Sequence, residues 1–245
     1  MAKSIKFRER FPHFGIFLVI AIALAIPFTV WSLNNIQTQT QQYAAMPSYY
    51  YSQYSSSWQT STCHLATYGC FETSLAMTLK KYISDTYNPL SVAKSVSQGC
   101  TSGTNLSEQD SIMTGYARNK GLTTVILRGS DKSTKILNYG SKYFNYSLAK
   151  NYIDKGYTLI LSGCMKFYNT NGTLSSYPLS HAIVVIDVNT STHVLTVLDP
   201  TKENGIRYFN GNSEILSCPN VVNGWVSAYA IKNQSSGCIT KYCPL

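Results

Sequence analysis

The sequence predicts an α+β domain, and three observations predict it. Apolar residues recur at three- and four-residue spacing between Cys70 and Gly121, which argues for helices in the first half. From Leu122 onward, runs rich in Val, Ile, Thr and Tyr are bounded by Gly, Asn and Pro, the pattern of strands. The strands do not alternate with helices, so the sheet is expected to be mostly antiparallel. No internal repeat and no G-x-x-x-x-G-K-[ST] phosphate loop interrupts this order.

"CFETSLAMTLKKY" opens the first helix at Cys70, with Phe71, Leu75, Leu79 and either Tyr82 or Ile83 as its apolar stripe. "NPLSVAKSV" gives a second, with Pro89 at its start. "NLSEQDSIMTGYARNKG" gives a third, with Ser107 as its N-cap, Gln109 and Asp110 in the first turn and Gly121 as the stop. Strands are predicted over 122–129 and 157–163, separated by a helix from Leu148 to Lys155. Four more follow, over 180–189, 192–200, 205–210 and 225–232.

The first fifty residues read differently. Lys3, Lys6, Arg8 and Arg10 precede an uncharged apolar run from Phe14 to Leu33. Twenty helical residues rise about 30 Å, enough to span a bilayer core. No further Lys or Arg occurs before Lys80, so the positive flank is N-terminal only, which predicts a cytoplasmic N-terminus. A cleaved signal peptide is the alternative, but its apolar region is usually shorter and ends at small residues; here "NNIQTQTQQ" follows. The expected organisation is a cytoplasmic basic tail over 1–13, a membrane signal anchor over 14–33 and a polar stalk over 34–48. The folded domain then takes 49–232, and a tail with Cys238 and Cys243 takes 233–245.

The formal net charge is +9, of which the N-terminal tail holds +3. The rest is scattered, with no basic stripe interleaved with aromatics, which excludes a nucleic-acid-binding reading. Abundant Tyr, Ser, Thr and Asn with few charged residues suit an extracytoplasmic chain; the sequons at Asn105, Asn145, Asn171, Asn189 and Asn233 are of a number that so Asn- and Ser-rich a sequence carries by chance. Seven cysteines cannot all pair: Cys63, Cys70, Cys100, Cys164, Cys218, Cys238 and Cys243 leave one thiol over, and the pairing of the other six is not derivable from sequence. Cys and His are not grouped at zinc spacings, so no metal and no cofactor is expected.

Which cysteine is odd follows from its surroundings. Cys70 follows Gly69 and opens a helix, and the positive end of a helix dipole favours a thiolate nucleophile. Of four histidines, His13 precedes the apolar run and His64 lies in the loop before Cys70, while His181 and His193 open strands. If the hairpin turn is "NTS" (189–191), Val188 faces Thr192 and His181 stands directly opposite Asp199. His193 would face Asp187, about 20 Å away along the strand. A longer turn would shift this register. A carboxylate beside an imidazole fixes its tautomer, so Cys70, His181 and Asp199 read as nucleophile, base and orienter. The bland alternatives are a core or disulfide-bonded Cys70 and a solvated His181 near a turn-forming Asp199.

At these residues the chain resembles the papain-like cysteine peptidases of family 39, the bacteriocin-processing type, and in particular their stand-alone extracytoplasmic relatives without a transporter. The resemblance runs from Tyr49 to Lys232. It rests on "YYSQYSSSW", "YGCFETSLAM", "SHAIVVIDV" and "VLDP". It implies a papain-like fold, Cys70 as nucleophile, His181 as base, Asp199 as orienter, and Gln53 of "YSQ" as oxyanion donor beside the Cys70 backbone N–H. Two departures stand out. Cys-Phe-Glu replaces the Cys-Gly-Pro of the processing enzymes, and His64 occupies the position six residues before the cysteine where they hold the glutamine. Gln53 and Gln59 are therefore both candidates, and Gln53 is preferred.

The expected function is that of a membrane-anchored extracytoplasmic thiol hydrolase acting on peptide or protein substrates. A cell-wall amidase or acyltransferase on the same fold is one alternative, and an inactive surface-binding module is another. A disulfide at Cys70 would favour the last.

Overall fold

The chain begins its described part with a loop that reaches a 3-10 turn at Ser56–Trp58 and then two abutting helices, α1 (Leu65–Tyr68) and α2 (Cys70–Tyr82). The computed structural model describes residues 45–96, 100–218 and 224–234, which from Met46 onward form one compact unit. The apolar run Phe14–Leu33, most of the stalk, and Cys238 and Cys243 lie outside the described residues. Among the described residues no helix is long and apolar enough to cross a membrane.

Helix α3 (Pro89–Ser95) starts where expected, on the Asn88 cap with Pro89 at its first position. Helix α4 (Leu106–Ser111) is capped by Asn105 rather than Ser107: Asn105 accepts the Glu108 N–H, and the Glu108 carboxylate accepts the Asn105 N–H. That reciprocal pair moves the helix start two residues toward the N-terminus. A π-helical turn, Ile112–Ala117, carries the chain on to Gly121, whose φ of 88° ends the segment as expected.

The sheet contains every strand predicted: β1 (Leu122–Ile126), β2 (Thr158–Met165), β3 (Leu179–Asn189), β4 (Val194–Leu198), β5 (Ile206–Asn210) and β6 (Trp225–Asn233). Helix α5 (Tyr146–Asp154) lies between β1 and β2, and a four-residue helix α6 (Gly211–Glu214) follows β5. The order is β1-β6-β2-β3-β4-β5, and every neighbouring pair is antiparallel. The molecule is α+β.

Alternation along the strands separates two cores. Ile183, Val185, Leu195, Val197 and Phe209 pack on the side of Ala149 in α5. Ala182, Val184 and Leu198 face Phe71, Leu75, Met77 and Leu79 of α2. Covered by the sheet and by α3, α2 departs from the one-sided stripe expected: Phe71 through Leu79 are all buried, Glu72, Thr73 and Ser74 among them. Each fully buried leucine there contributes roughly 1.5–3 kcal/mol. Burying Cys70's helix on all sides fixes its first residue firmly.

Candidate active site

Cys70 is the first residue of α2 and is half-buried. Its predecessor must be small, since a Cβ on Gly69 would lie 2.4 Å from Leu65 Cδ2 and 2.8 Å from the Leu65 carbonyl oxygen. Gly69 therefore lets α1 end and α2 begin without a gap.

Cys70 is also the one free cysteine among the described residues. Cys63 is joined to Cys100, and Cys164 to Cys218. The pairs settle the connectivity that spacing left open for these four, and they suit an oxidising compartment.

His181 and Asp199 meet, but not by the register expected. The β3–β4 connection is Thr190–His193, four residues, with Asn189 Oδ1 accepting the Ser191 and Thr192 N–H groups. Pairing therefore begins at Asn189↔Val194 instead of Val188↔Thr192, and a bulge at Ile186 shifts it back by one. Continued past Val184↔Leu198, this register sets His181 opposite Thr201 and leaves Asp199 its diagonal neighbour on the same face. Diagonal side chains about 7–8 Å apart at the backbone remain within reach. His181 Nε2 donates to Asp199 Oδ1 at 2.8 Å. His193 does not face Asp187, which pairs with Thr196; it takes a φ of 57° in the turn and lies against Tyr146.

Asp199 is fully buried and held by four groups. Besides His181, Oδ1 accepts the Thr201 N–H at 2.9 Å and its hydroxyl at 2.6 Å. Oδ2 accepts from the Arg207 guanidinium at 3.0 Å. Arg207 itself is buried, donating also to the Lys166 carbonyl at 2.9 Å and to the Glu214 carboxylate. Neither Arg207 nor Thr201 was singled out from the sequence. The signal for Arg207 was a charged residue on the same strand face as Phe209, and for Thr201 the Asp-Pro-Thr turn, where an Asp side chain bonds the backbone two residues on.

Electrostatics follow from these contacts. Burial opposes ionisation of Asp199, but His181, Arg207 and Thr201 outweigh it and hold the carboxyl well below the usual range. Burial likewise opposes a charged His181, yet the Asp199 charge and hydrogen bond, with the bond from Cys70, push the imidazole up to about 9. With Nε2 engaged by Asp199, Nδ1 is the nitrogen left for Cys70. The ring thus bridges sulfur and carboxylate.

The two glutamines are placed differently. Gln53 is buried, its N–H donates to the Pro200 carbonyl at 2.9 Å, and its Nε2 donates to the Ala66 carbonyl at 3.0 Å. It lines a cavity of about 50 Å³ together with Cys70 and His181. An amide nitrogen carries two donors, so one N–H of Gln53 remains beyond the bond to Ala66. Gln59 does not line that cavity. Its Nε2 donates to the Gln53 carbonyl at 2.7 Å and its Oε1 accepts the Ala66 N–H at 3.1 Å, so it clips the Gln53 backbone to α1. His64, at the position where the family's glutamine was looked for, caps α1 without a side-chain bond.

A scan against protein-family models finds no match, and a search of curated proteins finds none either.

Proposed function

We propose that the chain is a papain-like cysteine peptidase, with Cys70 as nucleophile, His181 as base and acid, Asp199 as orienter and Gln53 as oxyanion donor. The single observation that carries this is His181 bridging Cys70 and a buried Asp199, at the one unpaired thiol among the described residues. A core cysteine needs no such partner.

Cys70 Sγ attacks the carbonyl carbon of a peptide bond, with its proton held on His181. The oxyanion sits against the Cys70 N–H, which as the first helical donor has no intrahelical acceptor, and the remaining N–H of Gln53. The C–N bond breaks as His181 protonates the leaving amine, giving a thioester. Water then attacks, His181 takes its proton, and the thiol returns with release of the acid. Asp199 holds the ring in one orientation throughout. The run Phe14–Leu33 would tether this domain to the outer face of a membrane; the disulfides favour an oxidising compartment and bear only on that part of the placement.

The test is iodoacetamide labelling of the purified full chain at pH 6 without reductant, with peptide mapping. Rapid modification of Cys70, lost in His181→Ala, is the expected result. A Cys70 that labels no faster than a free thiol in solution, or is unaffected by His181→Ala, would overturn the assignment.

A further inference from the structure

We propose that a face of lysines and tyrosines at the C-terminal end of α2 docks on anionic lipid headgroups at the outer surface of the membrane. The inference rests on the reading of Phe14–Leu33 as a membrane anchor. No single stretch of sequence announces this face, because separate segments build it. Lys81 Nζ stands 5.5 Å from the centre of the Tyr49 ring and 4.9 Å from that of Tyr82. The Tyr82 hydroxyl donates to the Gly156 carbonyl at 2.8 Å, and the ring of the next residue, Tyr157, lies 4.4 Å from Lys232 Nζ. On the other side, Lys80 stands over Tyr51 at 4.7 Å. The Tyr51 hydroxyl donates to the Tyr87 carbonyl at 2.9 Å, and Lys120 lies over both Tyr87 and Tyr116. The four ammonium groups thus share one run of aromatic rings.

Charge, chemistry and chain connection together name the occupant. Of the four lysines, Lys80 alone has an ion-pair partner among the described residues, the exposed Asp85 at 3.9 Å. Four lysines less one aspartate leave the face at +3, so it attracts an anionic surface. Tyrosine rings that sit at headgroup level, with lysine stems reaching for phosphate, are the side chains that a bilayer interface selects. A small soluble anion would leave the rings unused. Tyr49, part of the face, comes sixteen residues after Leu33, a reach of at most about 55 Å. An anchored chain therefore enters the domain within this face and keeps it at high effective concentration beside the lipid.

Docking by this face orients the candidate active site. Cys70 opens α2 and Lys80 follows ten residues later, about 15 Å along the axis. In the sheet, the Thr158 hydroxyl that accepts from Lys81 at 2.7 Å begins β2, whose Gly163 pairs with His181 toward the other end. Cys70 and His181 then point away from the bilayer and take peptides from the aqueous side.

The test uses the full chain reconstituted in vesicles of phosphatidylcholine, alone or with about 30% phosphatidylglycerol. A brief pulse of acetic anhydride, an uncharged reagent, is mapped lysine by lysine. Lys81, Lys120 and Lys232 are expected to react about fivefold or more slowly on the anionic vesicles at about 0.1 M NaCl, and equally on both at about 1 M. Lys142 is the control: it is exposed and follows Ser141, whose carbonyl accepts from Trp225 at the site's end of the sheet, so it should react alike on both vesicles. Lys81→Gln with Lys120→Gln should weaken the protection of Lys232 and leave iodoacetamide labelling of Cys70 unchanged. Equal reactivity of the three lysines on the two vesicles at low salt would overturn the proposal. So would protection that persists in detergent without lipid, which would mark the face as a contact between copies of the chain. Flotation keeps the anchor reading separate. A chain that floats only with anionic vesicles and is stripped by about 1 M NaCl would keep the face and defeat the anchor. One that floats with both at high salt, its lysines unprotected at low salt, would keep the anchor and defeat the face.

Discussion

At the scale of single residues, the site depends on what surrounds Asp199. Arg207 touches no reacting atom; it is a positioning residue that holds Oδ2 so that Oδ1 faces His181. Arg207→Met leaves Asp199 buried with one fewer charge partner, a change that costs several kcal/mol when a buried pair is broken. Peptide turnover should show kcat falling roughly ten- to hundredfold with KM little changed, and Arg207→Lys should restore part of it. A loss confined to KM would mean that Arg207 shapes the substrate site instead. Activity of the unsubstituted chain should fall as pH rises through about 9, where His181 loses its proton, and Asp199→Asn should move that limb toward the ordinary imidazole value of about 6.5. The glutamines give a second contrast. Gln53→Ala should lower kcat about a hundred- to thousandfold with Cys70 labelling retained, the cost of one oxyanion donor. Gln59→Ala should act mainly on stability, because its bonds tie Gln53 to α1. Comparable kcat losses from both, with equal melting temperatures, would exchange their roles. Cys70, His181 and Asp199 were legible as neighbours because each sat beside a readable landmark, a helix start or a strand end, whereas Gln53 was picked out only by the resemblance carried on "YSQ". Arg207 was not, since its value lies in a contact between β5 and the end of β4 that no local pattern announces.

At the scale of elements, local signals were enough wherever the backbone itself decides. Pro89 opened α3, Gly121 closed the third helical segment, and all six strands formed where β-branched runs lay between turn residues. Register was less legible, because the Asn189 side chain organises a four-residue turn and the bulge at Ile186 then returns His181 and Asp199 to one face of the sheet, as diagonal neighbours and not opposite one another. Burial of α2 was the other surprise, and it places Glu72 out of water. Glu72 is fully buried, one oxygen accepts from Thr104, and the other has no partner among the described residues. Burial raises its carboxyl to about 7, only partly offset by the Thr104 bond. An acid whose folded value is raised favours the folded state most at low pH, and that advantage is lost between about pH 4.5 and pH 7. Glu72→Gln should therefore stabilise the chain at pH 8, by on the order of 3 kcal/mol, and do little at pH 4.5. Thermal unfolding at the two pH values checks this; equal effects at both would show that the carboxyl is not strained by burial.

At the scale of the whole molecule, the two disulfides brace opposite sides of the site. Cys63–Cys100 ties the loop ahead of Cys70 to the chain beyond α3, and the His64 N–H reinforces the join by donating to the Cys100 carbonyl at 2.8 Å. Cys164–Cys218 fastens the β2 residue paired with Ser180, one position from His181, to the segment after α6. Each bond closes a loop in the unfolded chain, with sequence separations of 37 and 54 residues. Loop-closure entropy at these lengths contributes about 4 kcal/mol apiece to stability. The same arrangement distributes their functional weight unequally. Replacing Cys63 and Cys100 together by Ser frees the segment that carries Gln59, Ala66 and Gly69, so it should lower kcat as well as the melting temperature. Replacing Cys164 and Cys218 together should lower the melting temperature by a similar amount while sparing kcat, because the β2–β3 and β2–β6 ladders still hold the strand that faces His181. Chemical denaturation and turnover measured on both double variants separate the two effects. Equal kcat in both would mean that the loop before Cys70 is held by its hydrogen bonds alone.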